Sequence, residues 1–291
     1  MFDPKKIKII PVPESSTFFR KDGKRKNNIV IQKSGISCFN KCIAEQSIGK
    51  QISNIEIKRE DEKEELYNEE KSILNTVADI KKNAPDFDYI IINDCSQDKT
   101  LQLCKDAGIP VINLPINLGI GGAVQTGYLY AKKNHYDYAV QFDGDGQHDA
   151  AFLQEMRDYM YAHDLDMLIG SRFIEKEGFQ SSSLRRFGIR YFSGLIRLLT
   201  GKRITDPTSG MRMVNESIIK MYADCYPKDY PEPESVVAVL QAGKKVEEYP
   251  VVMRERKEGV SSISPLKSVY YMIKVTLAIL VERIRRKEYK K

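Results

Sequence analysis

The sequence predicts an α/β protein with a mostly parallel sheet and helices on both of its faces. Between residues 72 and 172, short apolar runs alternate with stretches of helical periodicity. Three of those runs stop at polar clusters: Asn93-Asp94, Asp143-Gly144-Asp145 and Ser171-Arg172. In sheets of this kind ligands bind beyond the carboxyl ends of the strands. The three clusters are therefore expected to meet at one edge.

The elements follow in order. Residues 7–10, 28–31 and 55–57 are short β-like pieces in a polar N-terminal stretch. Residues 72–82 place apolar side chains at 73, 74, 77, 78 and 80, a helical stripe. Tyr89 to Ile92 is a continuous apolar run, as a strand buried on both faces requires. Residues 100–107 read as a helix stopped by Gly108, 111–114 as a strand, and 121–133 as a helix that opens on small residues. Residues 138–142 are a strand ending at Asp143, 151–162 a helix, and 167–169 a strand running into Gly170-Ser171-Arg172.

Composition bounds the rest. A chain of 291 residues with 42% hydrophobic content can bury a real core, and 18 Gly with 12 Pro exclude a collagen-like or wholly disordered chain. The longest apolar stretch, residues 269–281, is interrupted by Lys274 and falls short of the roughly 20 residues a spanning helix needs. No secretory signal is expected, because residues 1–8 lead into no apolar segment with a small-residue cleavage site. Five scattered cysteines then read as reduced thiols of a cytoplasmic protein. Cys38 and Cys42 have neither a nearby His nor a second Cys pair, so no metal is expected there. A net charge of +6 without a basic motif does not call for nucleic acid.

Asp143-Gly144-Asp145-Gly146-Gln147-His148 carries the chemistry. Two carboxylates one glycine apart at a strand end repel each other, and a hard divalent cation, Mg²⁺ or Mn²⁺, resolves the conflict with carboxylate, water and phosphate oxygens. An EF-hand does not fit, since His148 stands where that loop needs Gly and Gln154 where it needs Glu. Gly119, Gly121 and Gly122 do not make a dinucleotide fingerprint, because Val124 takes the third glycine position. They read as a tight helix start beside the ligand.

Eight segments, in order, resemble family 2 glycosyltransferases of the GT-A fold, including the polyprenyl-phosphate sugar synthases and bacterial cell-wall-polysaccharide enzymes. They are Tyr67-Asn68-Glu69-Glu70, Ile90 to Thr100, Asn117 to Ala123, Phe142 to His148, Gly170-Ser171-Arg172, Asp206 to Arg212, Asp229 to Glu234, and Arg254 to Ser262. The resemblance implies a Rossmann-like sheet and an inverting sugar transfer from a nucleotide-diphosphate donor to a polyprenyl phosphate or a lipid-linked glycan. It implies Asp143, Asp145 and Gln147 as metal ligands, with Asp145 the main one. Tyr67, Asn68, Glu69, Asp94, Asn117, Gly121, Asp143 and Arg172 would bind the donor. Arg212, Arg254, Arg256, Ser261 and Ser262 would hold the acceptor and diphosphate, and Glu232 or Glu234 would supply a base for a hydroxyl acceptor.

The resemblance spans residues 66–262 and leaves 1–65 as an atypical N-terminal segment, partly disordered or a fragment of another domain. The family's first strand runs straight into the Tyr-Asn-Glu motif. Here the residues before Tyr67 are Glu60 to Leu66, too acidic for a buried strand. Either residues 52–57 supply that strand or it is missing, and a missing strand favours a second reading: a non-catalytic relative that binds nucleotide or a partner. Residues 263–291 read as an apolar helix ending in six Lys/Arg against two Glu over 281–291. That pattern suits a helix lying on the inner face of a membrane; packing on the protein's own core is the alternative. Residues 181–199, with Arg185, Arg186, Arg190 and Arg197 among aromatic and aliphatic residues, form a second amphipathic candidate.

Overall fold

The computed structural model describes residues 18–19, 25–26, 28–34, 69–96, 98–144, 146–175, 183–228, 231–254 and 271–281. A two-stranded antiparallel pair, β1 (Phe18–Phe19) and β2 (Arg25–Lys26), precedes the main sheet. The sheet strands are β3 (Asn28–Ser34), β4 (Asp88–Asn93), β5 (Val111–Asn113), β6 (Tyr138–Asp143), β7 (Met167–Ser171), β8 (Arg212–Asn215) and β9 (Val246–Pro250). Their spatial order is β5-β4-β3-β6-β8-β7-β9. Only the β8 pairings are antiparallel, which makes the sheet mostly parallel, as expected.

The helices are α1 (Glu69–Asn83), α2 (Thr100–Asp106), α3 (Gly119–Lys133), α4 (Phe152–Ala162), α5 (Ser183–Thr200), α6 (Glu216–Asp224) and α7 (Pro231–Gln241), with α8 over residues 271–281. They cover both faces. On one, Ile31, Ile90 and Ile92 pack with Val124 and Tyr128 of α3, Ile218 and Tyr222 of α6, and Val236 of α7. On the other, Val30, Val140 and Phe142 pack with Leu153, Met156 and Met160 of α4 and Ile80 of α1.

The first strand corrects the expectation. It is not missing; residues 52–57, the alternative source, lie outside the described residues. It is Asn28–Ser34, seated between β4 and β6. Val30 and Ile31 are buried on opposite faces, 0% and 1% exposed, as alternation along a strand demands. The sheet thus takes in residues 28–34, well ahead of the boundary drawn at 66. The strand was hard to see because it carries only three apolar residues and is separated by residues 35–66 from the motif that normally follows it. Its seat depends on Gly127 of α3, where a β-carbon would collide with the Ile31 side chain.

Candidate active site

The carboxyl ends of the central parallel strands lie in register. Ser34 pairs with Asn93, and Lys33 with Asp143. Around this edge gather the start of α3, the 143–149 turn, the loop entering β8 and the start of α7.

Asp94 is buried, 2% exposed, and its Oδ1 accepts the Leu118 N–H at 2.6 Å. The Asn117 amide donates to the Asp94 carbonyl at 3.2 Å and its Oδ1 accepts from Gly119 N–H at 3.0 Å. An anionic side chain thereby holds the entry to α3, where the helix dipole favours negative charge. Gly121 donates its N–H to the Lys228 carbonyl at 3.0 Å, and a β-carbon there would run into the Pro227 and Lys228 backbone. The expected tight, glycine-dependent helix start is realised. Between Asp94 and Ser96 the chain turns through Cys95 at a positive φ of 62°.

Asp143 ends β6 with 27% of its side chain exposed. Its N–H donates to His148 Nδ1 at 3.3 Å, and His148 Nε2 lies 3.8 Å from Asp143 Oδ2. Buried His148 meets the Phe142 ring edge-on at 5.1 Å, so it fixes the turn from inside. Across from the carboxylate stands Gly210, where a β-carbon would overlap Asp143 Oδ2. A side chain at 210 would push the carboxylate out of this position. From the other side Ser72 Oγ of α1 donates to the Gly144 carbonyl at 2.8 Å. Among the described residues no three His, Cys, Asp or Glu side chains converge as a preformed metal cage; Asp145 lies outside those residues.

Arg254 reaches the same turn. Its N–H donates to the Gln147 carbonyl at 2.9 Å, and its guanidinium spans Asp79 at 3.1 Å and Asp149 at 2.8 Å. Burial opposes the charge, but the hydrogen bond to Asp79 and the charges of Asp149 and Asp79 outweigh it, so the guanidinium is held above its ordinary pKa. Asp79 and Ser72 are site neighbours that the sequence reading passed over; their place in an otherwise ordinary amphipathic helix gave no signal.

Two predicted ligand-binding arginines are turned inward instead. Arg172, 4% exposed, makes a two-pronged pair with fully buried Asp206, Nε to Oδ2 and Nη2 to Oδ1 both at 2.6 Å. Arg212, 1% exposed, donates to the carbonyls of Ser209 (2.7 Å), Pro207 (2.6 Å) and Glu232 (2.6 Å) and to Ser235 Oγ (2.9 Å). A buried guanidinium needs such partners, and these two brace the 206–212 segment rather than face a ligand. Arg212 also ties that segment to the first turn of α7, where Glu232 and Glu234 sit half-exposed. Pro231 opens this helix, a position proline favours. Glu69 opens α1, while Tyr67, Asn68, Arg256, Ser261 and Ser262 lie outside the described residues.

The chain has counterparts among known proteins. The model of "Glycosyl transferase family 2" matches residues 66–222. The chain belongs to this family. It is 26% identical over 207 residues to an undecaprenyl-phosphate mannosyltransferase of Micrococcus luteus, covering 68% of this chain and 84% of the relative. It is 29% identical over 176 residues to a UDP-N-acetylglucosamine–dolichyl-phosphate N-acetylglucosaminyltransferase of Methanococcus voltae, covering 54% and 70%. Among solved structures, glucosyl-3-phosphoglycerate synthase from Mycobacterium tuberculosis, in complex with Mn²⁺ and UDP-glucose, superposes with a TM-score of 0.59 at 14% identity, covering 89% of this chain and 79% of that one. That likeness establishes the GT-A fold. The protein is a family 2 glycosyltransferase whose relatives include polyprenyl-phosphate and dolichyl-phosphate sugar transferases. With its first strand in place, the ground for a non-catalytic reading falls away.

The amphipathic helices meet on the surface. Tyr191 of α5 shares a 3.1 Å hydrogen bond with Thr276 of α8, and Phe192 packs edge-on against Tyr271 at 5.6 Å. The inner face of α8 is buried through Val275 and Ile279, while Ile273, Leu277 and Val281 are exposed, as are Phe187 and Leu198 of α5. Among the described residues no helix is long and apolar enough to cross a membrane.

Proposed function

We propose that the protein transfers a sugar, with inversion, from a nucleotide-diphosphate donor to a polyprenyl phosphate, aided by Mg²⁺ or Mn²⁺ at the inner face of a membrane. The observation that carries this reading is the seat of Asp143: a partly exposed carboxylate at a strand end, packed so closely against Gly210 that a β-carbon there would displace it. Such a cradle suits a cation that keeps one or two carboxylates and completes its shell with substrate phosphates and waters. Asp143, Asp145 and Gln147 would hold it, and when bound it neutralises charge on the departing diphosphate.

The chain's own residues do the rest. Asp94 fixes the 117–121 loop and, with Asn117 and Gly121, would line the donor side; Tyr67, Asn68 and Glu69 would join them. Arg254 brings positive charge to the 143–149 turn; with Arg256, Ser261 and Ser262 it would hold the acceptor. A lipid phosphate, with a second pKa of about 6, is already anionic at neutral pH and needs no strong base. A lipid-linked glycan acceptor would need one, and Glu232 or Glu234 would supply it. The names of the Micrococcus and Methanococcus relatives favour the lipid phosphate. The exposed apolar residues of α5 and α8, with Arg190 and Arg197 of α5, suit an anionic lipid surface; the basic sequence after 281 agrees.

The test is a transfer assay on the full chain, with UDP-, GDP- and dTDP-linked sugars and a short-chain polyprenyl phosphate in anionic vesicles. Labelled sugar passing into the lipid phase with Mg²⁺ or Mn²⁺, and not with chelator, is the expected result. Transfer insensitive to chelation, or nucleotide binding without transfer across the panel, would defeat the proposal.

A further inference from the structure

Glu248 lies on β9, three strands away from the strand of Asp143, and belongs to none of the motifs that point to the active site. Both of its carboxylate oxygens are nevertheless committed to the loop that enters β8. Oε2 accepts the Thr205 N–H at 2.7 Å, and Oε1 accepts Thr205 Oγ1 at 2.8 Å and the Asp206 N–H at 2.7 Å. Thr205 Oγ1 also meets Ser171 Oγ at 2.8 Å. Asp206, held by its backbone, presents both carboxylate oxygens to Arg172, and its carbonyl accepts the Ser209 N–H at 3.3 Å. Arg212 locks the Pro207 and Ser209 carbonyls. The next residue is Gly210, whose α-carbon faces the Asp143 carboxylate so closely that a β-carbon would overlap it.

We propose that Glu248 is a positioning residue for sugar transfer. By clamping Thr205 and Asp206 it sets the 205–210 segment, and through Gly210 it sets where the Asp143 carboxylate stands. A loop whose main-chain donors are satisfied by one charged side chain has one low-energy position, and the carboxylate packed against it inherits that position. Metal sites depend on such outer partners for affinity, losing roughly 10- to 100-fold when they are removed. The inference rests on reading Asp143 as a metal ligand.

The experiment is Mn²⁺ titration by electron paramagnetic resonance, with UDP and separately with GDP present, on wild type, Glu248→Gln, Gly210→Ala and Thr205→Ala, alongside thermal unfolding of each. Glu248→Gln and Gly210→Ala are expected to weaken Mn²⁺ roughly tenfold or more. Excess Mn²⁺ should restore the transfer rate of Glu248→Gln, which a merely structural lesion would not allow. Glu248→Gln that folds and binds Mn²⁺ as wild type does overturns the inference. Should Glu248→Gln fail to fold, Thr205→Ala decides: about threefold weaker Mn²⁺ supports the clamp, and unchanged affinity overturns it. Wild type that binds no Mn²⁺ with either nucleotide overturns the metal reading of Asp143 itself, a separate result.

Discussion

The two ends of the sheet are both rich in acidic residues, and they treat them differently. At the amino end Asp166 accepts from the Lys245 N–H at 2.9 Å, from Asn215 at 3.0 Å, and from Ser217 and Lys244 at 3.3 Å each. Asp88, at the first residue of β4, accepts the Tyr136 hydroxyl at 2.9 Å. Burial raises the Asp88 pKa and that hydrogen bond pulls it part of the way back. These acids join strand to strand. At the carboxyl end the protein spends two buried arginines, Glu248 and a glycine on the frame, and leaves Asp143 partly exposed within it. Polar residues alone do not tell the two ends apart; what the acids are packed against does.

The sharpest way to break this comparison is to remove that carboxylate. Asp143→Asn is expected to lower transfer about a thousandfold, several kcal/mol of lost charge stabilisation, with an unchanged circular dichroism spectrum. A comparable loss on Asp166→Asn would erase the distinction between the two ends.

The frame itself answers next. Arg172→Ala leaves the Asp206 carboxylate buried and unpaired, which costs about 3–5 kcal/mol, read by urea unfolding. The double variant with Asp206→Ala should recover part of that loss. Additive losses would show that the two side chains do not act as a pair.

How much of this was legible in the sequence depends on the residue. Strands β4, β6 and β7 were plain because their runs are continuous and apolar, and the topology put their polar ends together. The Asp143 turn and the glycine-dependent start of α3 were readable for the same reason. Arg172 and Arg212 stood in recognisable motifs, but a sequence gives the residue type and not the direction of the guanidinium. Both point inward, to acceptors on a loop whose path sequence does not reveal. Glu248 was silent, since alternation along an edge strand does not distinguish a clamped carboxylate from a solvated one. Residues 28–31 read as a β-like piece, but their place as the sheet's first strand was missed because the motif expected to follow is displaced by residues 35–66. Gly127→Ala tests that strand directly. The added methyl would strike Ile31 only if residues 28–34 occupy the sheet, and overpacking of this kind costs about 1–3 kcal/mol. Ile31→Ala in the same chain should return part of it. A neutral Gly127→Ala would put the first strand elsewhere.

The smallest effect sharpens the amino end. Burial alone would raise the Asp166 pKa, but hydrogen bonds from the Lys245 N–H, Asn215 and Lys244, with the Lys244 charge, outweigh it and hold the carboxyl below its ordinary value. A carboxyl depressed in the folded state stabilises the protein at pH values above its unfolded pKa of about 3.9. That contribution fades as pH falls through the lowered folded value. Asp88, shifted the other way, favours the fold in its neutral form and gives up that share as pH rises through its raised value. Asp166→Asn should therefore destabilise the protein near neutral pH by about 0.5 kcal/mol, as suits a solvent-screened pair, and the difference from wild type should close below about pH 4. Unfolding midpoints in urea between pH 3 and pH 7 would show the convergence. A gap that persists at acid pH would mean that the geometry of the Asn215 and Ser217 bonds, not the charge, does the joining.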